Sequence, residues 1–161
     1  GYYCGKKQEQ ELWRLYFPSK RTFRFLSNVG KSYIQGSRQL PKTGDLLLIT
    51  KSLKDVMLAH ELGIPAIAPC SEVLFISKRQ YKALQQRFKT IVVLYDTDLT
   101  GIKNLKQIKK TYPGIKTFFI PRKYKVKDMS DFYKAYGDKE TRKRAQEVID
   151  YFKGQSVDRQ T

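Results

Sequence analysis

Apolar residues recur along this chain in two rhythms. Residues 46–50 (Leu46, Leu47, Leu48, Ile49, Thr50) and 91–95 (Ile91, Val92, Val93, Leu94, Tyr95) are continuous runs of strand length. That pattern belongs to strands covered on both faces. Shorter runs at 66–68 and 116–120 predict two more strands. Between the runs the spacing becomes helical. Ser52 is placed to cap a helix through Leu53, Val56, Met57 and His60 to Gly63, and Ser77 to cap one with Tyr81, Leu84 and Phe88 on its apolar face. A third helix is expected from 101 to 112, where Pro113 and Gly114 break it, and a charged amphipathic one from 138 to 154, with Ala145, Val148, Ile149 and Phe152 on one side. Strand and helix alternate, which predicts an α/β domain: a mostly parallel sheet flanked by helices, with right-handed crossovers. In such sheets the functional edge lies beyond the carboxyl ends of the strands.

The first 45 residues read differently. Residues 11–18 are aromatic-rich and end at Pro18, residues 22–26 alternate like a short strand, Asn28 to Gly30 supplies a turn, and 41–45 is a loop. The expected organisation is a small, irregular α/β lead-in over 1–45, a main domain over 46–137, and a terminal helix and tail over 138–161. The chain is long enough for one substantial core, and its first residue, Gly1, suggests a piece of a longer polypeptide.

Charge changes the picture. Thirty-two Lys and Arg face 15 Asp and Glu, a net of +17, with pI about 9.9 and a mean hydropathy of −0.56. Residues 1–45 hold 9 basic and 3 acidic side chains, 46–121 hold 12 and 5, and 122–161 hold 11 and 7. A positive charge spread over the whole fold attracts polyanions, because neutralising phosphates releases condensed counterions. The competing use is a solubility charge or a face for an acidic protein. No apolar run approaches the ~20 residues that span a bilayer, so no membrane partner is expected. Cys4 and Cys70 are isolated and His60 is the sole histidine, which excludes a Cys/His zinc site and fits a reducing compartment.

The chemistry sits after the second long apolar run, in Asp96-Thr97-Asp98-Leu99-Thr100-Gly101. Two aspartates one residue apart at a strand mouth repel each other unless a cation lies between them. Hard divalent cations such as Mg²⁺ or Mn²⁺ take carboxylate oxygens. The alternative is that both merely cap the next helix. Two further acidic positions belong to the same sheet edge: Asp55, one turn into the first helix, and Lys127-Asp128-Met129-Ser130-Asp131 after the 116–120 run. Asp131 alone fits a helix N-terminal carboxylate.

These motifs resemble the Toprim domain shared by bacterial-type and phage primases, topoisomerases and certain nucleases. Its pattern is E-G-x-x-D after a strand, then D-x-D-x-x-G, then K-D-x-x-D in primase-like members. The matches are Asp55, the 96–101 segment and the 127–131 segment, over about 46–137, and the lead-in around Phe23 to Asn28 resembles the basic stretch preceding Toprim in phage primases. The resemblance implies a Rossmann-like Toprim fold and the catalytic region of a phage-type DNA primase, polymerising ribonucleotides on single-stranded DNA in a metal-dependent reaction. It implies Mg²⁺ or Mn²⁺ on Asp96, Asp98, Asp55 and Asp128, with Lys51, Asp96 and Asp98 as catalytic groups. Nucleoside triphosphates and template are the implied ligands, and a replicative helicase the implied protein partner, in the cytoplasm of a bacterium or phage-infected host. Arg21, Arg24, Lys31 and Arg38 would track the template, and Arg122, Lys123 and Lys125 would hold a triphosphate or stand as a solvated basic loop.

One departure matters. The leading glutamate and glycine of the pattern fall on Lys51 and Ser52. A charged lysine cannot ligate a cation. Lys51 replaces one cation of a two-metal site, or Glu72 supplies the missing carboxylate, or the site binds nucleic acid without catalysis. The last makes the chain a degenerate Toprim module that binds nucleic acid or replication proteins, and a Toprim nuclease is the remaining alternative.

Overall fold

The computed structural model describes residues 2–22, 25–30, 32–70, 75–95 and 99–157. Two compact units divide the chain, one over 1–33 and the other over 34–161.

The first unit is an antiparallel sheet of β1 (Tyr2–Lys7), β2 (Gln10–Tyr16) and β3 (Phe25–Ser27), in that order. Tyr3 pairs with Trp13 and Tyr16 with Phe25 across the strands. The two rings of the second pair stack at 5.0 Å, and the Arg14 guanidinium lies 4.3 Å from the Phe25 centroid. The strand expected at 22–26 is thus seen from Phe25 onward; Phe23 and Arg24 lie outside the described residues. The β1–β2 hairpin was not anticipated.

The second unit is built on five strands: β4 (Ile34–Gln35), β5 (Gly44–Ile49), β6 (Ala66–Pro69), β7 (Phe88–Leu94) and β8 (Lys116–Phe118), ordered β4-β6-β5-β7-β8. Only β4 runs antiparallel; β5–β6, β5–β7 and β7–β8 are parallel. Among the described residues four α-helices accompany them: α1 (Leu53–Glu61), α2 (Lys78–Gln85), α3 (Leu99–Thr111) and α4 (Met129–Val157). The mostly parallel sheet flanked by helices is the fold class the apolar pattern predicted.

Strand order dictates where the helices go. From β5 the chain steps to β6 on one side, then crosses back to β7 on the other. Right-handed crossovers in opposite directions put α1 and α2 on opposite faces, with α3 beside α2. The core agrees. Leu47, Ile49, Ile91 and Val93 pack with Tyr81 and Leu84 of α2 and Leu105 and Ile108 of α3. Their neighbours Leu46, Leu48, Val92 and Leu94 pack with Val56 and Ala59 of α1 and Phe132 and Phe152 of α4. Alternate residues of one apolar run thus serve two cores, which is why the run has no polar gaps.

Local signals set the ends. Ser52 and Ser77 cap α1 and α2, and Ser77 makes a reciprocal capping box with Gln80. The helix expected from 138 is the second half of α4, which begins at Met129 and breaks at Gly137, where φ 77° and ψ 178° leave the helical region. The strand expected over 116–120 is shorter, ending at Phe118.

Candidate functional site

The reversal of strand order, from β5 out to β6 on one side and back to β7 on the other, puts a switch point between the parallel strands β5 and β7, the place where open α/β sheets carry their ligand crevice. Ile49 pairs with Val93, so the two strands leave the sheet side by side. Beyond β5 come Thr50, almost fully buried, its backbone N–H donating to Ile67 O at 2.9 Å, and then half-buried Lys51.

Ser52 then turns the chain into α1. Its hydroxyl accepts from the Asp55 backbone N–H at 3.2 Å and donates to Asp55 Oδ2 at 2.9 Å. The other oxygen of Asp55 reaches α4: Oδ1 accepts from the Ser130 N–H at 3.2 Å and from the Ser130 hydroxyl at 2.8 Å. Asp128, immediately before α4, accepts from the Asp131 N–H at 2.8 Å, and its second oxygen takes the Lys54 ammonium at 3.1 Å. Two carboxylates from distant parts of the chain thus satisfy two of the four N–H groups that open α4 without helical partners. Lys54 pairs with Asp128 and also feels the charge of Asp55.

Asp55 is 2% exposed. Burial pushes its carboxyl above the usual carboxylate range, the charge of Asp128 adds to the rise, and the hydrogen bonds from Ser130 and Ser52 oppose it. For Lys54, burial pulls the ammonium down, but the hydrogen bond and charge of Asp128, helped by Asp55 and Asp131, leave it raised overall. The Lys54–Asp128 pair is partly exposed and stabilises modestly, in the range of about 0–1 kcal/mol.

A hard divalent cation needs carboxylate oxygens with free lone pairs. Asp55 is poorly placed to give one, being buried with both oxygens already accepting. Asp128 has lone pairs to share, beside the Lys54 ammonium. Among the described residues no three of His, Cys, Asp and Glu are grouped to hold a metal. The fit of a cation therefore rests on Asp96 and Asp98, which follow β7 in sequence and lie outside the described residues, as does Glu72. Arg122, Lys123 and Lys125 are exposed on the turn between β8 and α4, and Arg38 is exposed after β4. Arg21 is exposed in the first unit; Arg24 and Lys31 lie outside the described residues.

The profile of the Toprim-like family matches residues 48–133, more than half of the chain. The chain belongs to the Toprim-like family. No curated protein matches the sequence. Among solved structures, this Toprim-like chain is similar to the DnaG primase catalytic domain bound to ssDNA, with a TM-score of 0.62 and 14% identity over 90% of this chain and 52% of that one. The E. coli primase catalytic core matches with a TM-score of 0.54 and 16% identity, over 82% of this chain and 50% of that one. A chain from the bacteriophage T7 assembly of lagging-strand DNA polymerase with primase domains of two gp4 subunits gives 0.55 and 17%, over 78% and 64%. These likenesses show the fold. The Toprim-like chain spans about half the length of the primase catalytic cores it matches. Among the described residues no helix is long and apolar enough to cross a membrane.

Two members of the site escaped sequence reasoning. Ser130 was visible only as a spacer in the K-D-x-x-D segment, and Lys54 as one cation among many. A serine at the second position of a helix, where backbone N–H groups lack partners, was the available signal.

Proposed function

We propose that this chain is the Toprim-centred part of a primase catalytic core, joining ribonucleotides on a single-stranded DNA template with Mg²⁺ or Mn²⁺. The observation that carries this reading is the meeting of α1 and α4 at the carboxyl edge of β5 and β7. There Asp55 and Asp128 share one polar network on a chain of net charge +17. The D-x-D-x-x-G segment leaves β7 at that same edge in sequence.

In this reading Asp96 and Asp98 hold the cation, Asp128 stands at the rim, and Asp55 positions α4 so that Asp128 stays there. The cation supplies neutralisation of phosphate charge when bound. Lys51, two residues beyond β5, contacts phosphate and contributes a fixed positive charge to the same end. A 3′-hydroxyl attacks the α-phosphate of the incoming nucleotide and pyrophosphate leaves. Arg122, Lys123 and Lys125 offer the exposed charge that a triphosphate requires, and Arg21, Arg24, Lys31 and Arg38 take the template backbone. A replicative helicase is the partner this activity calls for.

Lys51 also supports a second reading, a degenerate Toprim module that binds nucleic acid without catalysis, because the family pattern has glutamate there. Primer synthesis from ribonucleotides on single-stranded DNA separates the two, with wild type run beside Asp96→Ala and Lys51→Glu. Label incorporated by wild type and lost in Asp96→Ala supports the enzyme. A silent wild type with activity gained in Lys51→Glu supports the binding module. Nicking of duplex DNA without nucleotides would favour a Toprim nuclease instead.

A further inference from the structure

A cavity of about 350 Å³ lies under the second half of α4, on the face of the sheet that α1 and α4 cover. Leu48 and Val92 of the sheet form one wall and Ala145 and Val148 of α4 the other, and the lining is almost wholly apolar. Small-molecule sites have this size and character, about 300–1,000 Å³ with few polar groups. The pocket is partly open, so an apolar occupant can enter it and remove its lining from water. Water gains little there, for want of hydrogen-bond partners.

Collapse of α4 onto the sheet is resisted along its length. Its first turn is tied to Asp55 through Ser130, with the hydroxyl at 2.8 Å. Beyond the Gly137 break, Arg142 Nη1 donates to Glu61 O at 3.2 Å. Near its end Phe152 is 3% exposed and edge-on to Phe118 at 6.4 Å. The helix bridges the cavity, propped at both ends.

The rim sets the charge of the occupant. Arg144 is answered by Glu140 and Glu147, each at 2.8 Å. Lys123 lies 5.2 Å from the Tyr124 ring and has no carboxylate partner among the described residues. We propose that this cavity binds a small amphipathic anion, an aliphatic body inside with one carboxylate at Lys123. Because Met129 lines the same cavity and adjoins Asp128, the occupant bears on the start of α4. The proposal shares Lys123 with the primase reading, but its test needs neither nucleotide nor template, so the two can fail separately.

Calorimetric titration of decanoate into the purified chain tests it, below the micelle concentration. Saturable one-site binding is expected. Octanoate should bind about fifteen-fold more weakly, since each of two lost methylenes is worth about four-fold. Lys123→Glu should weaken decanoate by about tenfold or more, and Ala145→Trp, which fills the cavity, should abolish binding with the circular dichroism of the fold retained. Val148→Phe serves if Ala145→Trp does not fold. Absence of saturable binding, affinity independent of chain length, or binding that survives the filling variant would each overturn the proposal.

Discussion

Ser130 gives both its backbone N–H and its hydroxyl to a single oxygen of Asp55, a residue 75 positions earlier in the chain. This pair joins the first turns of α1 and α4 and fixes where Asp128 stands. Ser130→Ala removes the shorter of the two bonds and should cost about 1–2 kcal/mol, whereas Asp55→Ala leaves the Ser52 hydroxyl and an α4 N–H without acceptors and should cost more. Urea denaturation gives both values. Equal stability of Ser130→Ala and wild type would show that the bond contributes nothing.

The raised carboxyl of Asp55 has a sign in pH. Its folded value exceeds its unfolded one, so the native state holds this proton more tightly. Asp55's contribution should therefore decline as pH rises from the ordinary carboxylate range through the raised value, and level off above it. Asp55→Asn should remove that part of the slope. Denaturation midpoints at a series of pH values, wild type against variant, provide the check; parallel curves would refute it.

Gly36 precedes the short 3-10 turn at Ser37–Gln39 with φ 80°, and a Cβ there would meet Val56 Cγ1 at 2.6 Å and Ala66 O at 2.7 Å. Gly36→Ala combines a left-handed backbone with overlap against β6 and α1. A loss of about 2 kcal/mol or more is expected. Thermal melting measures it, and an unchanged midpoint would mean that β4 sits differently.

Asp96→Ala should lower primer synthesis by about a hundredfold or more with melting unchanged, because it deletes a ligand of the cation that would neutralise the reacting phosphates. Lys51→Ala should lower synthesis as well. If it leaves synthesis untouched, the role given to Lys51 is wrong even where Asp96 proves essential.

Binding to single-stranded DNA should depend steeply on salt. Several phosphate contacts imply an affinity falling by about 10³ or more between about 50 and 200 mM salt, and replacing Arg21 and Arg38 by glutamate should flatten the logarithmic slope by about 0.7 per lost contact. Fluorescence anisotropy across a salt series reads the slope directly. A flat dependence would remove nucleic acid as the polyanion that the +17 charge serves.

Much of the second unit was legible in the sequence because its signals are local. The uninterrupted runs at 46–50 and 91–95 are what strands must look like when alternate side chains enter separate cores, and Ser52 and Ser77 cap as their positions promised. The β1–β2 hairpin was less legible. Aromatic and charged residues occupy both of its faces, so alternation is blurred, and its turn uses Gln8 at φ 52° where glycine or asparagine would have flagged it.

By itself, then, the sequence determined the alternation of strand and helix, the helix caps, the positive charge and the Toprim-like motifs, all properties of neighbouring residues or of sums over the chain. Tertiary structure alone decided what Asp55 does. Its carboxylate is buried and accepts the backbone N–H and the hydroxyl of Ser130, 75 residues away at the opening of α4, and no local pattern encodes so distant a partner. Folding also decided that α4 spans a cavity, since that depends on how far a propped helix stands from the sheet.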